Sequence, residues 1–356
     1  MRLLAFLLAL VPFTIASSPY HFVFPRDAGA HFDYASEWWY LTGHLQTSKG
    51  RRFGFELTIF RFGLRPGNLR PAPGESRWHT SEVYPAHFAL TVVDPEEARD
   101  SFVHFERFER GALGMAAAAA GHLDVHSGDW SIRGSDPIRL AASDDGYGLD
   151  LSLRSQKPPA INGRGGVSRK AACRSCASHY YSLTRLGTTG TVTVRGTRYS
   201  VEGLSWMDHE YGSDELQPDQ IGWDWFALQF DDDRDVMLYR LRQKNGGTTP
   251  QSSGSVVAPG GSVRYLPLAD FSIEALGSWK SPHTGAVYPS SWRVRIPSEG
   301  IDVRVTPLLR DQELVDKQLG VAYWEGDCDV AGVDRGHSVH GVAYVELTGY
   351  AGALRL

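Results

Sequence analysis

The chain has 356 residues, of which 42% are hydrophobic and 12% aromatic, and its formal net charge at pH 7 is -5. This apolar content excludes an intrinsically disordered chain, and the length predicts two domains with sizeable cores. Charged residues are dispersed rather than gathered into basic runs, which argues against nucleic acid as a partner and against a polybasic membrane-binding surface.

The N-terminus has the pattern of a secretory signal peptide. After Arg2, an apolar run extends from Leu3 to Ile15 and is followed by three small residues. We predict that residues 1–18 are removed and that the mature chain begins near residues 17–19. The run is too short for a permanent membrane anchor, and no later segment is long and apolar enough to span a bilayer. We therefore expect a periplasmic or secreted protein.

Downstream, short runs that alternate apolar and polar residues between Gly, Pro, Asp and Ser predict strands almost throughout. In chain order the clearest runs are 53–62, 87–93, 149–153, 191–201, 225–241 and 292–305. The alanine run at 116–120 has glycines on both sides and suits a single helical turn or a loop. Many short strands with frequent turns predict a sandwich or a barrel, with helix well under about a quarter of the chain.

Three cysteines are present. In an oxidising compartment Cys173 and Cys176 could form a disulfide, which would leave Cys328 alone. No βαβ pattern surrounds the pair, so a disulfide that closes a small loop, or two free thiols, is a better interpretation than a redox motif.

The two halves of the chain share three markers in the same order, which indicates an internal duplication. Each half opens on tryptophans, at 37–40 and 223–226, and each has a strand-turn-strand pattern in its middle, at 137–151 and 289–303. Each half also closes on a similar segment, because 201–208 resembles 339–346. With a boundary near residues 212–220, we predict a signal peptide at 1–18, an N-terminal domain at 19–213 and a C-terminal domain at 214–356.

Several blocks of sequence stand in a distinctive order, at residues 31–45, 53–61, 178–182, 203–210, 222–226, 288–292, 323–326 and 346–350. Together they resemble a family of secreted, lipocalin-like proteins of the AttH type, related to carotenoid 1,2-hydratase (hydroxyneurosporene synthase). The resemblance covers about residues 21 to 350. It implies an all-β fold of two tandem lipocalin-like (calycin) antiparallel β-barrels, each with an aromatic plug at its floor and an apolar lumen above.

The resemblance implies a long apolar ligand, either a lipid or an isoprenoid or polyene. One hypothesis is a hydratase of the carotenoid 1,2-hydratase type, which adds water to a C=C bond. The alternative is a non-catalytic lipid carrier or an accessory protein of a lipoprotein-type ABC exporter. The resemblance also implies a further carboxylate on the strand after the 203–210 block, where this chain has no acid between Val236 and Leu241.

Hydration of a C=C bond needs a carboxylic acid that stays protonated near neutral pH, a water molecule and walls that tolerate a carbocation. Burial raises a carboxyl pKa, and aromatic faces stabilise a cation. If the segment after Ser205 is a strand, Trp206, Asp208 and Glu210 share one face, whereas His209 points to the other. We predict Asp208, Glu210 and His209 as the catalytic residues.

Other roles for these acids remain open from the sequence. Either carboxylate could be a structural partner of an arginine such as Arg61, Arg240 or Arg242. Because neighbouring residues on a strand face opposite sides, at most Asp208 and Glu210 converge, and we predict no metal. No cofactor motif is present, and no Gly-x-Ser-x-Gly elbow supports a serine hydrolase.

Ten side chains are candidates for lining a path for the ligand, although about half of such a set is normally plain core. They are Trp38, Trp39, Tyr40, Arg61, Trp206, Tyr211, Trp223, Trp225, Trp292 and Trp324.

Overall fold

The computed structural model describes residues 12–67, Gly74, 76–93, 101–213 and 216–353. Within these ranges regular structure is almost entirely β-strand, and the helical segments are three single 3-10 turns, at Arg26–Ala28, Leu268–Asp270 and Pro297–Glu299. Two large antiparallel sheets and one separate two-stranded hairpin account for the strands. The predicted all-β, two-barrel fold class is confirmed.

The first sheet is built from the N-terminal half. Its strands are β1 (Ser36–Gln46), β2 (Arg52–Gly63), β3 (Glu82–Val93), β4 (Ser101–Arg110), β5 (Ala116–Ala118), β6 (Asp124–Ser127), β7 (Trp130–Gly134), β8 (Ile138–Asp144), β9 (Tyr147–Ser155), β10 (Ala160–Ile161), β11 (Ser168–Arg169), β12 (Ala177–Val194) and β13 (Thr197–Gly212). Their order is β4-β3-β2-β1-β13-β12-β9-β8-β7-β6-β5, with β10 and β11 also paired to β12. Arg107 of the edge strand β4 forms an ion pair with Asp129 in the turn between β6 and β7, which links the two ends of the sheet.

The second sheet is built from the C-terminal half. Its strands are β14 (Gln220–Phe230), β15 (Asp235–Gln243), β16 (Ser253–Val257), β17 (Val263–Pro267), β18 (Ser272–Ala275), β21 (Trp292–Ile296), β22 (Ile301–Pro307), β23 (Glu313–Asp316), β24 (Val321–Asp334) and β25 (His337–Thr348). A separate hairpin is formed by β19 (Ser278–Lys280) and β20 (Val287–Pro289). The order of the sheet is β17-β16-β15-β14-β25-β24-β22-β21-β18, with β23 also paired to β24.

The two sheets have the same strand order over nine positions. The series β4-β3-β2-β1-β13-β12-β9-β8-β7 corresponds to β17-β16-β15-β14-β25-β24-β22-β21-β18, as an internal duplication requires. Strand β13 ends at Gly212 and β14 begins at Gln220. The domain limits proposed from the sequence stay a prediction, and the change from one sheet to the other falls between these two residues.

Three runs predicted as single strands are hairpins instead. The run at 191–201 turns at Arg195, the run at 225–241 turns at Asp233, and the run at 292–305 turns at Gly300. These three residues have φ values of 49°, 65° and 71°, a left-handed conformation that breaks a strand. The alanine run forms the short strand β5 rather than a helical turn.

The interior of each barrel is packed with apolar side chains. Trp39, Phe88 and Trp130 lie in the core of the first barrel, whereas Phe226 and Trp292 lie in the core of the second. The resemblance implied an apolar lumen above an aromatic floor, and in this chain large side chains fill that space. A third apolar cluster lies where the outer faces of the two barrels meet, and it includes Tyr40, Tyr180, Trp206, Trp225, Tyr239 and Tyr344.

The N-terminal segment and the cysteines complete the fold. Residues 1–11 of the predicted signal peptide lie outside the described residues, whereas Ala16 is buried against the first barrel. Cys173 and Cys176 form a disulfide with their Cα atoms 5.3 Å apart, and Cys328 is buried with a free thiol. In the part of the chain that the structure describes, helices long and apolar enough to cross a membrane are absent.

Candidate functional site

A cavity lies between the two barrels, against the outer faces of their central strands. Its volume is about 70 Å³. The cavity is therefore narrow, smaller than a pocket that encloses a whole drug-sized ligand, and it suits the end of a slender molecule. Its wall is formed mainly by aromatic and acidic side chains, namely Trp38, Tyr40, Thr58, Phe60, Lys170, Tyr180, Asp208, Glu210, Leu216, Trp223, Trp225, Tyr239, Leu241, Tyr323, Glu325 and Glu346.

The wall has an approximate symmetry that follows from the duplication. In the first barrel Tyr40 of β1 is paired with Asp208 of β13, and in the second barrel Trp225 of β14 is paired with Glu346 of β25. Side chains two residues apart on a strand share a face, so β1 and β14 each contribute a second aromatic residue to the wall. Those residues are Trp38 and Trp223.

Asp208 is buried in this wall and accepts three hydrogen bonds. Its Oδ1 accepts from the Ser182 hydroxyl and from the Trp206 indole N–H, both at 2.6 Å, and its Oδ2 accepts from the Tyr180 hydroxyl at 2.5 Å. Burial raises the pKa of Asp208 to about 7, even though the three donors oppose the rise, and the charge of Glu210 adds to it. Asp208 can therefore hold a proton much nearer neutral pH than an ordinary aspartate does.

Glu210 lies two residues further along the same face and has a different environment. The Nζ atom of Lys170 is 2.6 Å from Oε1 of Glu210, and the Ser178 hydroxyl donates to the same oxygen. The Lys170 ammonium also lies 5.4 Å and 4.6 Å from the ring centroids of Tyr180 and Tyr239. The two acids predicted from the alternation thus lie on one wall, and Glu210 is fixed in a buried ion pair.

The second barrel contributes two further acids. Oε2 of Glu346 accepts a hydrogen bond from the Trp223 indole at 2.7 Å, and burial raises the pKa of Glu346 to about 8. Glu325 is the cross-strand partner of Glu346, and its Oε2 accepts from the Tyr40 hydroxyl at 3.0 Å. Burial, followed by the charges of Glu346 and Glu56, raises the pKa of Glu325 well above its usual value, and its Oε1 has no hydrogen-bond partner among the described residues.

This arrangement combines proton donors with surfaces that stabilise a cation. Carboxyl groups that remain protonated near neutral pH can act as general acids. The aromatic side chains of Trp38, Tyr180, Trp223 and Trp225 line the same cavity, and aromatic rings can stabilise positive charge that develops on a ligand. The cavity therefore has the chemical features needed to protonate an apolar, electron-rich bond.

A protein-family model described as AttH-like matches residues 15–350. The chain belongs to the AttH-like family. A crystal structure of a protein described as an AttH, from Nitrosomonas europaea, is 31% identical to this chain and superposes with a TM-score of 0.82, covering 96% of this chain and 100% of the other. The family prediction made from the sequence blocks is confirmed.

A more distant structural relative of this AttH-like protein is kievitone hydratase from Nectria haematococca. It is 16% identical, covers 96% of this chain and 97% of its own, and has a TM-score of 0.67. At this identity the likeness shows a shared fold alone. No curated protein matches the chain by sequence.

Six predicted site residues of the AttH-like protein lie away from the cavity. They are Trp39, Arg61, His209, Tyr211, Trp292 and Trp324. Alternation along β1 and β13 turns Trp39 and His209 to the barrel side, where their rings stack 4.8 Å apart. Trp292 and Trp324 pack against each other in the core of the second barrel. Trp206 is absent from the wall itself but donates a hydrogen bond to Asp208.

His209 belongs to a buried network centred on Glu37. Oε1 of Glu37 is 2.8 Å from a ring nitrogen of His31 and 2.8 Å from one of His209, while Oε2 accepts from Arg61 at 2.9 Å. Burial raises the pKa of Glu37, but the two histidines and the arginine lower it more, so it falls well below its usual value. Two histidines and a carboxylate are competent metal ligands, yet Arg61 already neutralises this carboxylate. The geometry fits a charged structural network, beside which Tyr211 stacks on His31.

The arginines considered as partners of the two acids pair with other carboxylates. Arg61 pairs with Glu37, and Arg240 and Arg242 both pair with Asp224, at 2.5 and 2.9 Å. Asp224 lies between Trp223 and Trp225 on β14 and therefore faces away from the cavity. Glu37 and Asp224 are therefore the carboxylates that act as structural partners of these arginines, and the sequence did not predict that role for either.

Several residues of the cavity wall were missed. The repeat aligns Asp208 with Glu346, so Glu346 could have been found from the sequence. Glu325 required the register between β24 and β25, and Lys170 comes from a loop beyond β11, so no sequence pattern marked them. The acid expected between Val236 and Leu241 is absent, and that strand gives the wall Tyr239 and Leu241 instead.

Proposed function

We propose that this protein is a hydratase that binds an apolar alkene between its barrels and adds water to a C=C bond, with Asp208 as the general acid. The observation that carries the proposal is the buried carboxyl of Asp208, whose pKa is raised to about 7, in an aromatic wall. A carboxyl with a pKa near the working pH is an effective proton donor. The fold shared with kievitone hydratase supports the same reaction class.

The proposed reaction has two steps. The π electrons of the alkene form a new C–H bond with the proton of Asp208, which leaves a carboxylate on the enzyme and a cation on the second carbon. A water oxygen then bonds to that carbon and releases one proton to a basic group at the wall. The net change is the addition of one water, and the aromatic faces of Trp38, Trp223 and Trp225 lower the energy of the cation between the steps.

The expected substrate class follows from the cation and from the shape of the cavity. Protonation of a trisubstituted alkene gives a tertiary cation, the most stable kind that a simple alkene forms. The cavity is narrow, so a slender chain that ends in such a bond fits better than a fused ring system. We propose a lipid-like isoprenoid or polyene with this terminus.

A non-catalytic carrier is the second candidate, because the apolar wall can hold the same ligand without reacting with it. Export to the periplasm or beyond, supported by the apolar run before residue 18, is part of both proposals. Partnership with an ABC exporter remains a prediction from the family resemblance.

The test uses squalene in detergent micelles as the probe, incubated with the purified protein in water enriched in heavy oxygen. The hydratase proposal predicts a product that carries a labelled hydroxyl, formed by the wild-type protein and lost by about a hundredfold or more in Asp208→Asn. Asp150→Asn, an exposed acid on β9, serves as the matched control and should retain the activity. Retention of squalene without any label would support the carrier, and equal labelling by Asp208→Asn would remove Asp208 from the mechanism.

A further inference from the structure

A chain of three polar side chains leads from the cavity wall into the contact between the barrels. Tyr323 of β24 lines the cavity, and its hydroxyl is hydrogen-bonded to Nδ1 of His87 on β3. Nε2 of the same histidine is 3.0 Å from Oδ2 of Asp316, at the end of β23. All three residues are at least 95% buried, and the first barrel supplies the histidine while the second supplies its two partners.

Asp316 is held as an anion that orients the histidine. Its Oδ1 accepts hydrogen bonds from the backbone N–H groups of Gln318 and Leu319, at 2.7 and 2.9 Å. Burial raises the pKa of Asp316, but the bond from His87 and the two backbone donors lower it more, so the pKa lies below its usual value. An ionised Asp316 keeps the His87 proton on Nε2 and leaves Nδ1 as an acceptor for the Tyr323 hydroxyl.

With its proton directed to His87, the Tyr323 oxygen can accept a hydrogen bond from a molecule in the cavity. We propose that Tyr323 accepts the proton of the attacking water and relays its own proton to His87, with Asp316 as the positioning residue. This proposal rests on the proposed hydratase function and names the basic group that the second step requires.

The proton that the attacking water loses is replaced along the chain, and a proton ends on His87. The water oxygen donates an electron pair to the carbocation, and its O–H bond breaks as the proton moves to the Tyr323 oxygen. The original Tyr323 proton moves to Nδ1 of His87, so that the phenol stays neutral and His87 becomes an imidazolium paired with Asp316. Asp208 carries the matching negative charge after protonating the alkene. Return of a proton from His87 to Asp208 through solvent completes the cycle.

The duplication provides an internal comparison for this role. Tyr180 of β12 occupies the position that corresponds to Tyr323 of β24. Tyr180 lies two residues from Ser182, the cross-strand partner of Asp208. Tyr323 lies two residues from Glu325, the cross-strand partner of Glu346. Tyr180 donates its proton to Asp208 itself, whereas Tyr323 is bonded to a histidine. The two halves have thus diverged, so that one tyrosine supports the acid and the other has a proton acceptor behind it.

Two measurements test the relay. The first uses protein with 15N-labelled histidine and reads the tautomer of His87 by NMR, without any ligand. The expected result is a proton on Nε2 and a hydrogen-bonded Nδ1, and the signal of that bond should be lost in Tyr323→Phe. A proton on Nδ1 in the wild-type protein would overturn the proposal.

The second measurement is the rate of 18O incorporation into squalene, together with squalene binding. Tyr323→Phe and His87→Gln should each lower kcat by about a hundredfold while the dissociation constant of squalene changes little. His104→Gln, a histidine of the adjacent strand β4, is the matched control and should keep the wild-type rate. If the wild-type protein labels squalene and Tyr323→Phe labels it equally fast, the relay is wrong although the hydratase stands. If the wild-type protein adds no label, the hydratase proposal fails and the relay fails with it.

Discussion

Replacement of Asp208 by Asn is expected to make the protein more stable relative to wild type as the pH rises. The folded-state pKa of Asp208 is about 7, against a usual value of 3.8. Between these values the unfolded chain is ionised at Asp208 while the folded protein keeps the proton, so folding takes up a proton and wild-type stability falls with rising pH. Above about pH 7 both states are ionised and this effect is complete.

The magnitude follows from the pKa difference. Each unit of pKa corresponds to about 1.4 kcal/mol, so the full effect is about 4 kcal/mol, of which about 3 kcal/mol falls between about pH 5 and pH 7. Asn cannot ionise and avoids this loss. The amide keeps an oxygen for Ser182 and Trp206 but presents its NH2 group to the Tyr180 hydroxyl, which costs about 1 kcal/mol at every pH.

Urea unfolding at about pH 5 and at about pH 8 measures this effect. Relative to wild type, Asp208→Asn should gain about 3 kcal/mol in unfolding free energy between the two conditions. The exposed-site variant Asp150→Asn should show no comparable gain. An Asp208→Asn effect that is equal at both pH values would refute the raised pKa, and with it the reason for choosing Asp208 as the acid.

Four further substitutions test other parts of the structure by the same unfolding assay. Glu37→Gln should destabilise by about 2–3 kcal/mol, because it removes one of the two carboxylates that pair with the fully buried Arg61 and leaves Glu82 as the other, and a loss below about 1 kcal/mol would contradict the network. Gly203→Ala and Gly341→Ala should each cost about 1–3 kcal/mol, since an added Cβ would lie 2.0 Å and 2.3 Å from carbonyl oxygens of the neighbouring strands; unchanged stability in both would contradict that close approach. Glu346→Gln, like Asp208→Asn, should become more stable relative to wild type as the pH rises. For Glu346→Gln this gain in unfolding free energy should continue up to about pH 8, and a gain that ends near pH 5 would refute the burial of this acid.

Patterns that depend on strand periodicity were predictable from the sequence. Alternation placed Trp206, Asp208 and Glu210 on one face, and all three lie at or beside the cavity wall. The same rule placed His209 on the opposite face, and in the structure its ring lies on the barrel side against Trp39. The repeat similarly identified Gly203 and Gly341. At each of these positions a backbone carbonyl oxygen of the neighbouring strand lies too close for a Cβ atom.

Features that depend on how strands and barrels pair were not predictable. The site lies between the barrels because large residues such as Trp39 and Trp292 fill the interiors, and composition alone does not tell a filled barrel from an open one. The ion pair of Lys170 with Glu210 joins a loop to a strand forty residues away, and no local pattern encodes it. Tyr323 and His87 come from different halves of the chain, so their contact depends on the docking of the two barrels.

In the proposed reaction Asp208 gives up a proton beside a cationic centre in the inter-barrel cavity. A quaternary ammonium with a slender alkyl chain imitates that cation, and its neutral carbon isostere has the same shape without the charge. Calorimetry should show that the ammonium binds more tightly as the pH rises through about 7, where Asp208 ionises, while the neutral isostere binds equally at every pH. Asp208→Asn should reduce this pH dependence. Affinities for the two compounds that do not differ, or an ammonium affinity that Asp208→Asn leaves unchanged over this range, would contradict the account.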